Sequence, residues 1–361
     1  MANTRTFVGL DAHSSVTQVA SLDVETGEIS SRRIAGDPLE CISHLETLPR
    51  PLIATYEAGP CGYGLARADI GDDVEIRVCA PSSIPRRPEP IKNDRRDSER
   101  LARLLAAGEL RFVRVPSVEE ERCRDLSRCR DAARGDLMRA RHRLARFLGR
   151  HEIVYPGKAG AWTGEHRKWL GQLAPEHPAL RAVLRDYLAG VEGLEQRRHV
   201  LDREIAELAP ESPWAETIAR LRCLRGIDTV AAFGICAEVG EFTRFPHPSR
   251  FAAYLGLVPS LHSSAESTKR GPITKAGSSY ARRLMIESAH HYWRTPRISK
   301  ALELRQKGQD PRAVEIGWRC QQRLHQRWMR LRVERRRPGA VVITAMAREL
   351  SSFVWEVGQL R

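Results

Sequence analysis

Phe7-Val8-Gly9-Leu10-Asp11 is an apolar run closed by a carboxylate, and it reads as a buried strand with an acid at its end. Leu52-Ile53-Ala54-Thr55-Tyr56-Glu57 repeats that design. Asp94 and Asp97 then stand three residues apart in a segment of helical periodicity, so they share one helix face. Carboxylates brought from two strand ends and one helix make a hard-oxygen site suited to Mg²⁺ and phosphate chemistry. A single Asp at a strand end is ordinarily structural or a helix cap. Four acids in these elements and this order point to catalysis instead.

Working outward, strands are expected over Thr6–Leu10, Val16–Leu22 and Glu28–Ile34, with Glu25-Thr26-Gly27 turning between the second and third. A short helix over Leu39–Leu48 and the strand Leu52–Tyr56 follow. Gly59-Pro60-Cys61-Gly62 breaks the chain before another expected helix, and Val74–Cys79 supplies a fifth strand. Pro81 to Pro90 is a proline-rich connector, poor for regular structure. The helix carrying Asp94 and Asp97 runs through Leu101, Leu104 and Leu105 to Gly108. Three antiparallel strands followed by alternating helices and strands is the order of the α/β ribonuclease-H-like fold.

The middle of the chain is helical and charged. Leu126, Ala133, Leu137, Ala140, Leu144 and Phe147 recur at three-and-four spacing, as a coiled-coil seam would. A second seam runs Leu184, Tyr187, Val191, Leu194, Leu201, Ile205 and Leu208. Two such helices suit an antiparallel hairpin, a dimer arm or a plain spacer. The last third opens with Leu221 to Ala231, where Gly226 reads as a turn between helices of helix-hairpin-helix character, with backbone N–H groups available to DNA phosphate. Gly256 to Gly277 is rich in Ser, Thr, Gly and Pro and is expected as a loop. Helical patterns continue to the end, including Val341–Val357. Trp293, Trp318 and Trp328 interleave with Arg there, and core packing is their expected role.

The charge balance is strongly basic: 59 Lys+Arg against 45 Asp+Glu gives +14 over 361 residues. Arg greatly outnumbers Lys, and Arg suits bidentate phosphate contacts. A polyanionic partner, nucleic acid ahead of membrane, is the first inference. No signal peptide is expected, and no apolar stretch is long enough to span a bilayer. Eight cysteines form no CxxC pair, which favours a reducing cytoplasm and argues against a zinc site.

Three segments then carry a family resemblance. Phe7-Val8-Gly9-Leu10-Asp11, Tyr56 to Leu65, and Lys92-Asn93-Asp94-Arg95-Arg96-Asp97 resemble the DEDD transposases of the insertion-sequence one-ten family. That family is similar to the Holliday-junction resolvase RuvC in its first domain and to Piv DNA invertases throughout. Arg225-Gly226-Ile227, Ala237 to Phe242 and Gly256-Leu257-Val258-Pro259-Ser260 fit the same pattern. The residues after Asp11, Ala12-His13-Ser14-Ser15, lack a Lys-Asp pair common in the family.

The resemblance implies a RuvC-like catalytic domain over 1–112, a helical coiled-coil region over 113–215, and a mainly α C-terminal transposase domain over 216–361 with a serine loop. Asp11, Glu57, Asp94 and Asp97 become its Mg²⁺ ligands. The family's serine, which precedes an Arg-Gly-x-Ile-Thr-Lys-x-Gly motif, maps onto Ser264, with Ser263 as fallback, before Arg270-Gly271-Pro272-Ile273-Thr274-Lys275-Ala276-Gly277. The implied partners are double-stranded donor and target DNA, a noncoding bridge RNA, and further copies of the chain as a dimer or tetramer. The implied setting is a bacterial, nucleoid-associated protein. Lys92, Arg95 and Arg96 near the acids, with Lys269, Arg270, Lys275, Arg282 and Arg283 around the serines, are the candidate phosphate contacts. The expected activity is DNA recombination through a covalent serine–DNA link. The alternatives are a junction-resolving nuclease in which water attacks, and a non-catalytic nucleic-acid-binding protein.

Overall fold

The structure is a computed structural model; it describes residues 5–85, 93–264 and 267–361, with backbone alone for residues 83, 261–264 and 267–270. Packing divides the chain into two units, Met1–Ser117 and Val118–Arg361.

The first unit contains β1 (Thr6–His13), β2 (Val16–Asp23), β3 (Ile29–Ala35), α1 (Ile42–Leu45), β4 (Leu52–Glu57), β5 (Val74–Cys79) and α2 (Asp94–Ala106). Its sheet has the order β3-β2-β1-β4-β5. β1, β2 and β3 pair antiparallel, while β4 lies parallel to β1 and β5 parallel to β4. This is the ribonuclease-H-like arrangement. β1 and β4 occupy the centre and are buried on both faces, which is why they read as unbroken apolar runs. β3 is the edge and alternates between half-buried and exposed.

Strand parity sorts the core. Val8, Leu10, Ala54 and Tyr56 pack on one face with Leu45 of α1. Phe7 and Ile53 pack on the other with Leu101 and Leu105 of α2. Two local expectations change. β1 runs past Leu10, because Asp11, Ala12 and His13 still complete ladder pairs with Gln18, Thr17 and Val16. The helix expected over Leu39–Leu48 shortens to a 3₁₀ turn at Pro38–Cys41 plus α1, and the one expected after Gly62 shrinks to a 3₁₀ turn at Leu65–Arg67.

Gly9 is the point where β1 meets α2. A Cβ there would lie 2.1 Å from the Ser98 carbonyl oxygen and 2.6 Å from the Ala102 nitrogen. Both are backbone atoms of a helix and cannot swing aside. Gly9→Ala is therefore expected to push α2 off the sheet and destabilise the unit by about 2–3 kcal/mol, read as a lowered midpoint in urea.

The second unit is mainly helical: α3 (Val118–Arg150), α4 (Gly164–Gln172), α5 (Pro178–Leu208), α6 (Ala215–Leu221), α7 (Thr229–Val239) and α8 (Pro248–Tyr254) come first. A two-stranded sheet of β6 (Pro259–Ser264) and β7 (Ser267–Ile273) follows, then α9 (Ser279–Ala289), α10 (Lys300–Gln306), α11 (Pro311–Trp328) and α12 (Gly339–Gly358). α3 and α5 form an antiparallel hairpin, since Arg130 meets Asp202, Arg197 meets Asp136 and Arg141 meets Glu195. Both predicted seams supply its buried residues, with Ala133, Leu137, Leu144 and Phe147 from one and Leu184, Val191 and Ile205 from the other. α7 is apolar on every side and buried at the centre of the helical core. Its one buried charge, Glu238, receives a two-pronged pair from Arg128 of α3 at 2.7 and 3.2 Å. Among the described residues, no helix is long and apolar enough to cross a membrane.

Two of the three tryptophans depart from expectation. Trp328 packs against the core, but Trp293 and Trp318 are exposed. On α11 the buried positions include Ile316, Cys320 and Leu324, and Trp318 lies about half a turn away from that stripe.

At the far part of the helical hairpin, Glu195 accepts from Arg167 at 2.6 and 2.7 Å and from Arg141 at 2.5 Å. The Arg141 guanidinium also stacks on Trp162, 4.6 Å from the ring centre. Hydrogen bonds from Arg167 first, and then from Arg141, hold the Glu195 carboxyl down to about 2 from an ordinary 4.5. A depressed carboxyl stabilises the fold above its unfolded value, and that stabilisation fades as pH falls through the folded one. Glu195→Gln is expected to cost about 1–2 kcal/mol at neutral pH. The gap from wild type should narrow steadily between pH 4.5 and 2, a trend measurable by denaturant unfolding across that range.

Candidate active site

Two of the four sequence-predicted acids, Asp11 and Asp94, come together through two structural rules. Phe7 pairs with Ile53 and Gly9 with Thr55, so parity carries Asp11 and Glu57 to the face on which α2 packs. α2 runs against β1 with Ser98 and Ala102 beside Gly9. One helical turn earlier, about 6 Å along the axis, comes Asp94; two residues later on β1, about 6.6 Å along the strand, comes Asp11. Their ligand atoms and that of His13 all lie within 4.8 Å of one another. Glu57 is exposed and Asp97 half-buried, and neither is part of that group. Asn93 caps α2 by accepting from the Arg95 N–H at 3.1 Å, which fixes the helix start beside the acids.

His13 was not anticipated. Its Nε2 lies 3.4 Å from Asp11 Oδ1. Two residues beyond Asp11 on the same strand, it falls on the same face, and this i, i+2 relation was readable once β1 was extended. Beside His13 opens a cavity of about 510 Å³ that Asp37, Leu39, Pro60 and Cys61 also line. The Cys61 thiol donates to the Ala12 carbonyl at 3.1 Å, anchoring the Gly59–Gly64 segment to the end of β1. Burial, then the Asp37 and Asp11 carboxylates, push that thiol above its ordinary value, as an acidic locality should.

The segment with the candidate serines is a hairpin rather than the expected loop. Ser264 pairs with Ser267, Ser263 with Thr268 and His262 with Lys269. Ser264 is therefore the last paired residue of β6, and residues 265–266 lie outside the described residues. The side chains of Ser263, Ser264, Lys269 and Arg270 lie outside them too, as does Lys92. Close backbone contacts fix the hairpin base. Gly277, at φ +65°, would put a Cβ 2.1 Å from the Tyr254 carbonyl oxygen. Lys275 donates its backbone N–H to Gly256 at 3.1 Å.

Comparison with known proteins reads both regions together. Residues 8–152 match the DEDD transposase domain of IS110 type, described as Transposase, and residues 218–303 match the Transposase IS116/IS110/IS902 family. The transposase for insertion sequence element IS1533 of Leptospira borgpetersenii is 30% identical over 344 residues, 92% of this chain and 98% of that one. The Sinorhizobium fredii protein y4qE is 41% identical over 305 residues, 84% of this chain and 74% of its own length. The transposase for insertion sequence element IS1111A of Coxiella burnetii is 22% identical over 283 residues, 78% and 76% of the two chains. The chain belongs to the IS116/IS110/IS902 transposase family.

As a transposase it is an enzyme of DNA strand cleavage and transfer, and DNA is its substrate. The first matched segment contains Asp11, Glu57, Asp94 and Asp97; the second contains the Gly226 turn and the serine hairpin. A DEDD transposase implies a divalent metal, and the donor set fits one. Asp11 and Asp94 supply hard oxygens, and His13 adds an imidazole that Mn²⁺ tolerates better than Mg²⁺ does.

The candidate phosphate contacts divide by what they already hold. Arg95 pairs with Glu99 at 2.9 Å but remains largely exposed, and Arg96 is exposed on the same turn. Lys275 is exposed at the hairpin base. Arg282 donates to the Leu255 and Ala276 carbonyls at 3.0 and 2.8 Å, and burial lowers its pKa. Arg283 pairs with Asp131 of α3 and with Glu287 at 2.7 Å. These last two guanidinium groups brace the hairpin base and the helical core.

Proposed function

We propose that this transposase is a Mg²⁺-dependent site-specific recombinase of a mobile element, joining DNA through a covalent link to Ser264. The observation that carries the reading is the convergence of Asp11 and Asp94 ligand atoms, with His13, within 4.8 Å at the meeting of β1 and α2. Asp11 and Asp94 would hold the ion, with Glu57 and Asp97 offering further carboxylates from the neighbouring strand end and helix face. A bound divalent ion supplies Lewis acidity at a phosphodiester. Ser264 contributes its Oγ as nucleophile: a P–Oγ bond forms as the P–O3′ bond breaks, and the serine proton ends on the departing 3′ oxygen. Because the phosphodiester energy is conserved, a 3′-hydroxyl from another strand can reverse the step.

The same reading assigns 1–112 to catalysis, 113–215 to a helical spacer or assembly arm and 216–361 to the serine-bearing part. It places the enzyme in the bacterial cytoplasm near the nucleoid. Sequence choice falls to a bridge RNA whose loops pair with donor and target DNA, leaving the protein to hold shape and backbone. Multimers, dimeric or tetrameric, combine the acids of one protomer with the serine of another. Arg95, Arg96 and Lys275, exposed near the two sites, are the described side chains best placed for phosphate contact.

The test is direct. Purified protein is incubated with Mg²⁺, its flanking noncoding transcript and candidate sites, and the products are searched for a protein–DNA adduct mapping to Ser264. Clean hydrolysis with no adduct would instead favour the junction-resolving nuclease.

A further inference from the structure

The second unit, Val118–Arg361, carries a further basic feature. Beside the turn between α6 and α7 is a cavity of about 250 Å³, lined by Arg225, His291, Arg294, Arg297, Arg305 and one carboxylate, Asp228, among others. The site is built, not a chance meeting of surface side chains. Gly226 turns at φ +82°, and a Cβ on it would sit 2.7 Å from the Ser288 carbonyl oxygen and 2.8 Å from His291 Cδ2. The turn is therefore pressed onto the end of α9. Arg225 donates to the carbonyls of Arg294 (3.1 Å), Thr295 (3.2 Å) and Arg297 (2.9 Å), which holds that strap in place and keeps Arg294 and Arg297 at the cavity. Arg305 is anchored from α10 by donating to the Ile227 carbonyl at 2.5 Å.

The charge in this cavity is not balanced from within. Asp228 caps α7, accepting the Ala231 N–H at 2.8 Å, and its single negative charge offsets only one of the four arginines. Carbonyl partners satisfy guanidinium hydrogens without cancelling their charge. Partial burial, then Arg294, Arg225 and Arg305, push the His291 pKa down, against the opposing pull of Asp228. Burial likewise lowers Arg225, with Arg297 and Arg294 adding to it against Tyr292. Clustered cations that disfavour one another's charge are relieved by an anion.

We propose that this cavity grips a backbone phosphate of duplex DNA, a contact of the serine-bearing unit that is distinct from the acidic site. The proposal rests on the reading of the chain as a DNA recombinase, and it adds where that unit holds its substrate. A phosphodiester fits because the four guanidinium groups converge on a small volume. Such a contact fixes register and carries no sequence information.

The experiment measures affinity for a short DNA duplex by fluorescence anisotropy across a salt series, without divalent ion so that no strand is cut. Each phosphate contact contributes about 0.9 to the slope of log K against log salt. The double variant Arg294→Gln, Arg297→Gln is expected to lose about 1 from that slope and to bind about tenfold more weakly at 0.1 M salt. Both side chains are exposed, so the melting temperature should match wild type. Should the double variant unfold, the single variants carry the same comparison with smaller changes. Arg294→Lys with Arg297→Lys should keep the slope. An unchanged slope and affinity in the folded glutamine variants overturns the proposal. So does a loss confined to an RNA duplex of equal length. Inorganic phosphate at fixed ionic strength is the third arm: stabilising wild type but not the variant, with DNA binding equal in both, would mark a free-phosphate site and also overturn it. Failure of wild type to form an adduct would sink the recombinase reading while leaving this binding comparison untouched.

Discussion

Asp11→Asn is expected to reduce DNA strand cleavage by about 10³-fold or more while leaving the fold intact. The amide keeps the shape of the carboxylate but removes its charge, and an Mg²⁺ or Mn²⁺ site depends on that charge. A loss of three powers of ten corresponds to about 4 kcal/mol of transition-state stabilisation, within reach of one metal ligand. Asp11 is the natural target because its carboxylate lies within 4.8 Å of the ligand atoms of both Asp94 and His13. It sits on the central strand, faces α2 by parity, and meets Asp94 and His13. Two readouts separate catalysis from folding. Wild type should gain thermal stability as Mn²⁺ or Mg²⁺ is added, as any ligand of the folded state produces, and the variant should not. Duplex binding without divalent ion should be equal in both. A variant that still cuts within tenfold of wild type would remove Asp11 from the site.

That prediction also shows where the sequence was readable. β1 and β4 are central and buried on both faces, so their apolar runs were visible, and so was the order of strands around them. The end of β1 was not, because Asp11, Ala12 and His13 carry no apolar signal and are held by ladder pairing to β2. His13 was missed for that reason alone. Gly9 gave no local hint of its importance; its meaning lies in the approach of a helix 89 residues later in the chain. The hairpin of β6 and β7 was hidden by composition. Ser, Thr, Gly and Pro favour turns, and cross-strand pairing overrides that preference here. Long-range ion pairs are equally invisible to local reading, as Arg283 meets Asp131 across 152 positions. Basic residues thus look alike in sequence, and the structure separates exposed ones such as Lys275 from those engaged in bracing.

Ser264→Ala is expected to abolish the protein–DNA adduct and to lower strand transfer by about 10³-fold or more, with duplex binding unchanged. The substitution is structurally mild. Ser264 contributes to the hairpin through the backbone ladder opposite Ser267, and alanine preserves that pairing. The hairpin base is fixed elsewhere, by Gly256, Gly277 and the Arg282 guanidinium, so loss of one hydroxyl at the far end does not loosen it. Ser263, one ladder step away opposite Thr268, is the internal control. Ser263→Ala should keep adduct formation within about tenfold of wild type, since a neighbouring hydroxyl that does not attack contributes at most a hydrogen bond. If the adduct disappears with Ser263→Ala and survives Ser264→Ala, the nucleophile is Ser263 and the covalent route stands. If both variants still cut DNA at the wild-type rate and neither they nor wild type forms an adduct, water is the attacking group, and the acids of β1 and α2 act as a hydrolytic centre.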